Sequence, residues 1–396
     1  MIRFKFPVKA LAATVVSFIV IVAVLITAVL RDTVFTMDYH MALKLSEIER
    51  LVNRDYYFSV DDSALSDAVM TGYVKGLKDT YANYYTKENA QKQIDSLKGD
   101  SFGIGALLVY LSNENALYVW KVYDNGAASN VGMKSGDYIV KVDGMTVKEL
   151  GYDGALSAIR GEKGKAVALT VQRGTEEKTF KVTLAENDVQ SVYSALLQKK
   201  YGYVEVIDFN QKTSAQFKVA VDELQKEGIK GLIIDLRHNG GGTVASAAEM
   251  LDYLLPKGDT VRVKYKNGKI YVRNRSDKKC VDLPMVILTD GGTGSSSEIF
   301  CSIMRDFGKA VLIGERTYGK SIIQRSYNLS DGSRVKFTIG EFVPKSGKSY
   351  HKIGLSPDIE VTPDFKDGAD FYLKTEENDK VLLRGIEYLD KTISSR

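Results

Sequence analysis

The chain has 396 residues, of which 44% are hydrophobic and 26% charged, a composition typical of a globular protein with more than one domain. The net charge is only +4 and the charges are interspersed, so no basic face for a nucleic acid is predicted. Two cysteines and three scattered histidines cannot build a CxxC or HExxH zinc site. The cysteines, Cys280 and Cys301, are predicted to be buried small apolar residues.

The N-terminus predicts a membrane anchor. A basic tail, residues 1–9, precedes an uncharged run from Ala10 to Leu30, and Arg31 closes this run. A helix of this length spans about 30 Å, the thickness of a bilayer core. The basic end is expected to stay in the cytoplasm, which places the remaining chain outside it, as a single-pass protein of the cell membrane. The alternative is a cleaved signal peptide.

Residues 32–98 are predicted to be helical. Two stretches, Met37–Arg54 and Ser63–Lys78, place apolar residues at helical spacing. The apolar faces of these helices need a partner, which could be the main body of the protein or a second subunit in a homodimer.

Residues 99–185 change to short apolar runs separated by Gly-rich turns, which predicts a small β-rich module. One short helix is expected within it, at Tyr152–Ile159. The predicted strands are Phe102–Tyr110, Leu117–Val122, Tyr138–Val142, Ala166–Gln172 and Thr179–Leu184.

Residues 186–375 alternate between buried strands and helices, which predicts an α/β domain. An amphipathic helix at about Glu376–Asp390, within a C-terminal segment of residues 376–396, is expected to pack on it. The predicted strands are Tyr203–Phe209, Leu232–Leu236, Met285–Thr289 and Ala310–Gly314, and the predicted helices are Ser214–Glu227, Val244–Leu255 and Ser295–Phe307.

A serine follows a glycine-rich turn between a strand and a helix. The strand Met285–Thr289 runs into Asp290-Gly-Gly-Thr-Gly, and Ser295 opens the helix. Helix amides at such a turn could bind an oxyanion, which favours a nucleophile. The alternative is structural, because Ser295-x-x-Glu298 is also a capping box.

Two further segments add candidate groups. Lys320 follows a Gly in a loop that leads into an apolar pair, where burial could lower its pKa enough for it to act as a base; the alternative is a solvated loop lysine. The glycines 240–242 end another buried strand and could offer free amides to a carbonyl oxygen. A phosphate-binding turn is the weaker alternative, since these glycines are not part of a GxxxxGK[ST] pattern, which occurs instead at residues 314–321.

These segments resemble the C-terminal processing peptidases, also called tail-specific proteases, over residues 45–365. The resemblance rests on ordered blocks that include SFGIGALL, GLIIDLRHNGGG, PMVILTDGGTGSSSEIF and AVLIGERTYGKSIIQ. It implies a multidomain α/β fold: a crotonase-like protease core, a β-rich PDZ domain, an N-terminal helical segment and one transmembrane helix. It also implies a serine endopeptidase with no metal or organic cofactor.

The resemblance assigns roles to individual residues. Ser295 would be the nucleophile, Lys320 the general base and Gln324 the group that orients the lysine. The implied oxyanion hole is the amide of Ser296 together with that of Gly241 or Gly242.

The chain departs from the family pattern at three places. Thr293-Gly-Ser-Ser-Ser replaces S-A-S-A-S, Asp290 replaces an Asn, and Gly240 replaces a Pro. The spacing to Lys320 favours Ser295 over Ser297 as the nucleophile. His238, in the glycine loop, is the alternative general base.

The module at residues 99–185 resembles a PDZ domain. Its segment Phe102-Gly103-Ile104-Gly105 looks like the loop that binds a peptide carboxylate through backbone amides. Arg160, after the module's helix, could link the module to the protease core. Two other functions stay open at this point: an inactive membrane-tethered peptide-binding scaffold, and an acyl-CoA enzyme on a crotonase-like core.

Overall fold

The computed structural model describes residues 20–22, 39–160, 163–277, 280–364 and 370–395. The predicted membrane segment, residues 10–30, lies outside the described residues except for residues 20–22. Among the residues that are described, none of the helices combines the length and the apolar character needed to cross a membrane. The chain divides into two compact units, residues 1–69 and 70–396.

The segment after the predicted anchor is mostly helical. Helix α1 has no buried residue. Helix α3 is capped at both ends: the Thr86 side chain accepts from the Asn89 amide, and Gly99 ends the helix in a left-handed conformation, at φ 80°. A short strand, β1, interrupts the helices, which the sequence did not predict. The elements are α1 Tyr39–Asp55, α2 Asp62–Lys75, β1 Asn83–Tyr85 and α3 Lys87–Lys98.

The β-rich module is an antiparallel sheet in the order β3-β4-β5-β7-β8, with β6 beside β5, while β2 pairs with β9. Its helix α5 is longer than predicted, because a second helical stretch precedes a kink at Gly151 (φ 66°). The elements are β2 Asp100–Gly103, β3 Ala106–Leu111, β4 Ala116–Val122, α4 Ala127–Asn130, β5 Tyr138–Val142, β6 Met145–Thr146, α5 Val147–Arg160, β7 Ala166–Arg173, β8 Glu176–Thr183 and β9 Ala185–Asp188.

The α/β domain is built on a six-stranded sheet in the order β10-β11-β12-β17-β18-β21, parallel except for β10. Alternate residues of β12 face opposite sides: Leu232 packs with α6, α7 and α8, and Ile233 packs with α9. The elements are β10 Val192–Leu197, β11 Tyr201–Val206, α6 Thr213–Lys226, β12 Gly231–Asp235, α7 Val244–Leu254, β13 Gly258–Asp259, β14 Arg262–Tyr265, β15 Ile270–Val272, β16 Arg275–Ser276, β17 Met285–Thr289, α8 Ser296–Asp306, β18 Ala310–Gly314, β19 Ile322–Asn328, β20 Arg334–Phe342, β21 Ile359–Glu360 and α9 Lys380–Ser394.

A second sheet in this domain was not predicted. Strand β20 pairs with β1, β14 and β19, and β15 pairs with β14. Helix α9 begins later than predicted, because the Asp379 side chain caps it by accepting from the Leu382 amide. Both cysteines are free; Cys301 is buried as predicted, whereas the prediction for Cys280 is wrong, since it is exposed.

Candidate active site

The three segments singled out in the sequence meet at one edge of the parallel sheet. Strands β12, β17 and β18 are neighbours that run in the same direction. Each is followed at its carboxyl end by one of the segments, which carry Gly241, Ser295 and Lys320 respectively. Ligands of open α/β sheets bind at this edge, so the fold places these groups where a site is expected.

Ser295 lies in a strained turn. Its backbone has φ 55° and ψ −116°, a conformation that residues other than glycine rarely adopt. Its amide donates to Glu298 Oε2, with an N–O distance of 3.0 Å. Strain of this kind is concentrated at functional sites, where surrounding contacts hold it in place.

The hydroxyls of the next two serines, Ser296 and Ser297, are engaged in hydrogen bonds. Both are fully buried. Ser296 Oγ donates to the Gly242 carbonyl at 3.0 Å, and Ser297 Oγ donates to the Asn239 carbonyl at 2.9 Å. Ser295 is partly exposed. This difference favours Ser295 over Ser297 as the nucleophile.

The glycine loop lies directly against the nucleophile turn. At Gly241 (φ 108°), an added Cβ would be 2.8 Å from the Ser295 Cβ and from the Ser296 nitrogen. The Gly241 amide is already engaged, since it donates to Asn239 Oδ1 at 2.9 Å. The Gly242 amide has no acceptor among the described residues, and Ser296 is the first residue of α8. Of the three predicted oxyanion donors, the amides of Gly242 and Ser296 are therefore the stronger candidates.

Glu298 joins the serine turn to the lysine loop. Its carboxylate is fully buried. Oε2 accepts from the amides of Ser295 (3.0 Å) and Lys320 (2.7 Å). Oε1 accepts from the Thr317 hydroxyl (2.5 Å) and the Gly319 amide (2.7 Å). The predicted capping box is present. The family spacing grouped Glu298 with Ser295 and Lys320, but the hydrogen bonds of its carboxylate to the lysine loop were not predicted.

Lys320 is partly desolvated. Burial lowers the pKa of its amine, and the charge of Lys336 lowers it further, against the opposing charges of Glu298 and Asp79. Its Nζ lies 4.3 Å from the centroid of the Tyr81 ring. Burial also raises the pKa of Tyr81 to about 12, with a hydrogen bond to Tyr318 acting in the same direction. Nothing in the sequence around Tyr81 indicated its place beside the lysine.

Gln324 lies on β19, next to a β-bulge in its pairing with β20. Its amide nitrogen donates to the Thr338 hydroxyl at 3.2 Å and to the Ile322 carbonyl at 3.3 Å. The orientation of Lys320 by Gln324 stays a prediction.

His238 has a partner other than Ser295. Its Nδ1 pairs with Asp290 Oδ2, and its ring stacks on Phe371 with centroids 3.9 Å apart. Burial would raise the pKa of Asp290, but its hydrogen bond to His238 and the charge of His238 outweigh burial and lower it. A carboxylate on Nδ1 is also found in Ser-His-Asp triads, so this pair is compatible with either base. Among the described residues, Ser295 Oγ has no hydrogen bond to the His238 ring or to Lys320 Nζ.

The PDZ-like loop is followed by an edge strand. Phe102 and Gly103 belong to β2, which pairs with β9, so only Ile104 and Gly105 of the predicted loop lie between β2 and β3. Strand β3 is an edge of the module's sheet, where a peptide strand could add. Gly105 (φ 72°) admits no side chain, because its Cβ would lie 2.5 Å from Asn187 Oδ1. Ile104 is buried in the module's core. Arg160 ends α5, and its side chain lies outside what the structure describes.

Comparisons with known proteins identify two matching families and several relatives. The model of peptidase family S41 matches residues 200–361, and that of the PDZ domain matches residues 103–184. A CtpA-like serine protease of Staphylococcus aureus strain N315 is 34% identical over 328 residues, 82% of this chain and 65% of the relative. The carboxy-terminal processing protease CtpA of Bacillus subtilis strain 168 is 31% identical over 325 residues, 81% of this chain and 69% of the relative.

A solved structure agrees with the fold. It is a Bacteroides fragilis NCTC 9343 protein described as an S41 protease, which aligns over 85% of this chain and 93% of its own, with a TM-score of 0.58 and 15% identity. The staphylococcal relative is longer than this chain, which spans just under two thirds of its length.

Proposed function

The chain belongs to the carboxy-terminal processing serine proteases of peptidase family S41, and we propose that it cleaves extracytoplasmic proteins by a serine–lysine mechanism. The observation that carries this proposal is the Glu298 carboxylate, which accepts from the amides of both Ser295 and Lys320. One buried group thereby fixes the two loops that carry the nucleophile and the base.

In the proposed reaction, neutral Lys320 takes the proton from the Ser295 hydroxyl as its oxygen attacks a peptide carbonyl. The amides of Gly242 and Ser296 stabilise the resulting oxyanion, with Gly241 shaping the loop. Lys320 then protonates the leaving amine, and water hydrolyses the acyl-enzyme. Desolvation supports the role of Lys320, because burial lowers the pKa of its amine. Gln324 is proposed to orient the lysine within this site.

The PDZ module is proposed to bind substrate C-termini through the Phe102–Gly105 loop and the edge of β3. A substrate tail would add to this edge as a further strand. The predicted helix at residues 10–30 would tether the protein to the cell membrane, with the protease core on the extracytoplasmic side. The substrates would then be envelope or secreted proteins.

A cleavage assay on casein or a tagged peptide tests the mechanism. We expect Ser295→Ala and Lys320→Ala to abolish cleavage while leaving the circular dichroism spectrum unchanged, and His238→Ala to lower the rate of cleavage without abolishing it. Full loss in His238→Ala, together with activity in Lys320→Ala, would assign the base to the histidine. No cleavage by the wild-type chain of any peptide that it binds would favour the inactive scaffold instead.

A further inference from the structure

A cluster of aromatic rings connects the PDZ module to the protease core. Trp120, on strand β4 of the module, contacts Tyr372 of the core, with ring centroids 4.8 Å apart at 75°. The next ring, Phe371, is 2% exposed and lies 5.3 Å from Tyr372. Phe371 also stacks on His238. Trp120 of the module is therefore linked to His238 of the glycine loop through the rings of Tyr372 and Phe371.

His238 connects these rings to the turn that precedes Ser295. Its backbone is left-handed (φ 58°), and its amide donates to both oxygens of Asp290, at 2.9 and 3.1 Å. Asp290 Oδ1 also accepts from the amides of Gly292 (2.9 Å) and Thr293 (3.0 Å), which lie three and two residues before Ser295 in the chain. Asp290 thus sets the backbone of the turn that places the nucleophile.

A set of charges runs beside the rings. Lys121, next to Trp120, pairs with Glu205 of the core at 2.7 Å. Lys374 Nζ lies 3.7 Å from both Glu205 and Asp235 and 3.4 Å from the centroid of the Phe371 ring. Glu205 and Asp235 are buried, and buried charges tolerate few alternative arrangements, since each would lose its partner. They fix the segment that carries Phe371 and Tyr372.

We propose that Trp120, Phe371 and His238 are positioning residues, which hold the nucleophile turn in its reactive conformation through Asp290. Loss of the Trp120 ring would then lower the rate of the chemical step and leave the affinity for substrate unchanged. This inference rests on the proposed function, since it presumes that Ser295 is the nucleophile.

The test compares Trp120→Ala with Tyr118→Ala in the full chain. Tyr118 is the matched control, because it is an aromatic residue of the same strand whose ring contacts Tyr138 within the module. Two internally quenched peptides of one sequence are used, one with a free C-terminal carboxylate and one with a C-terminal amide.

We expect Trp120→Ala to lower kcat about fivefold or more on both peptides, with KM changed less than about twofold. Trp120→Phe should restore most of kcat, and Tyr118→Ala should leave it unchanged. A kcat within about twofold of wild type in Trp120→Ala would overturn the proposal. So would a change confined to the KM of the free-carboxylate peptide, which would assign Trp120 to tail binding.

A double variant tests whether the residues act in one path. Trp120→Ala combined with Phe371→Leu should lower kcat no further than the worse single variant, whereas multiplying effects would show independent roles. If Trp120→Ala unfolds in the thermal scan, Tyr372→Ala removes the same contact from the core side and must give the same loss of kcat. A wild-type chain that cleaves neither peptide refutes the proposed function itself, while a cleaving wild type with unaffected variants refutes only the positioning.

Discussion

Replacing Glu298 with glutamine would exchange a buried carboxylate for an amide of almost the same shape. The carboxylate now accepts from three backbone amides and one hydroxyl. The glutamine has one acceptor oxygen, so its NH₂ group must face one pair of donors. The less costly orientation points NH₂ at Thr317, whose hydroxyl can accept, and leaves the Gly319 amide unpaired.

The cost follows from these contacts. A buried unpaired amide costs about 1–3 kcal/mol, and the bonds from Ser295 and Lys320 each weaken by about 1 kcal/mol once the acceptor is uncharged. The neutral side chain is easier to bury, which offsets part of the loss. We expect the free energy of unfolding to fall by about 2–4 kcal/mol. Because the two catalytic loops lose their shared anchor, kcat should fall as well.

Urea unfolding followed by circular dichroism, together with peptide cleavage, measures both effects. Glu341→Gln is the matched control, since Glu341 Oε1 accepts from the hydroxyls of Ser321 and Ser349, which can turn to accept instead. The control should change stability by less than about 0.5 kcal/mol. If Glu298→Gln were equally mild and fully active, Glu298 would not be the link between the loops.

Three other changes follow from the same geometry. Gly241→Ala should lower kcat at least about tenfold, because its Cβ meets the backbone beside Ser295 at 2.8 Å. The Cβ of Gly240→Ala meets nothing within 4 Å, so this control variant should be tolerated. Equal activities of the two variants would contradict this. Lys336→Met removes a charge that lowers the pKa of Lys320, so the pKa of Lys320 should rise. Since the neutral amine is the active form, the rise of kcat/KM with pH should move to higher pH. An unmoved or lower midpoint would refute the role of Lys320 as the base. Dialysis against EDTA should leave cleavage unchanged, and a loss that an added metal restores would reopen the question of a metal site.

The place of the catalytic segments could be predicted from the sequence. Buried apolar runs such as Met285–Thr289 and Ala310–Gly314 are followed at once by Gly-rich turns, and the carboxyl ends of parallel strands lie at one edge. The family resemblance then supplied the roles of Ser295 and Lys320. Local pattern and motif spacing are enough to place the catalytic segments at this edge of the sheet.

The contacts that tune the site could not be predicted, because they join distant parts of the chain. Tyr81 reaches Lys320 from a segment that was assigned only as helical, and Phe371 reaches His238 from beyond the last predicted strand. Strand β20 is different, because its residues alternate between polar and apolar from Arg334 to Ile339, which is the pattern of a half-buried strand, and this signal was overlooked. The occupation of the Gly241 amide by Asn239 depends on side-chain geometry that no motif encodes.

Activation of Ser295 by Lys320 can be tested by locating a covalent adduct on the serine. The full chain is treated with diisopropyl fluorophosphate, and the modified residue is identified by peptide mass spectrometry. If Lys320 is the base, an adduct forms on Ser295 in the wild type and in His238→Ala, and none forms in Lys320→Ala. An adduct on Ser297, or labelling of Ser295 that survives in Lys320→Ala and disappears in His238→Ala, would contradict it.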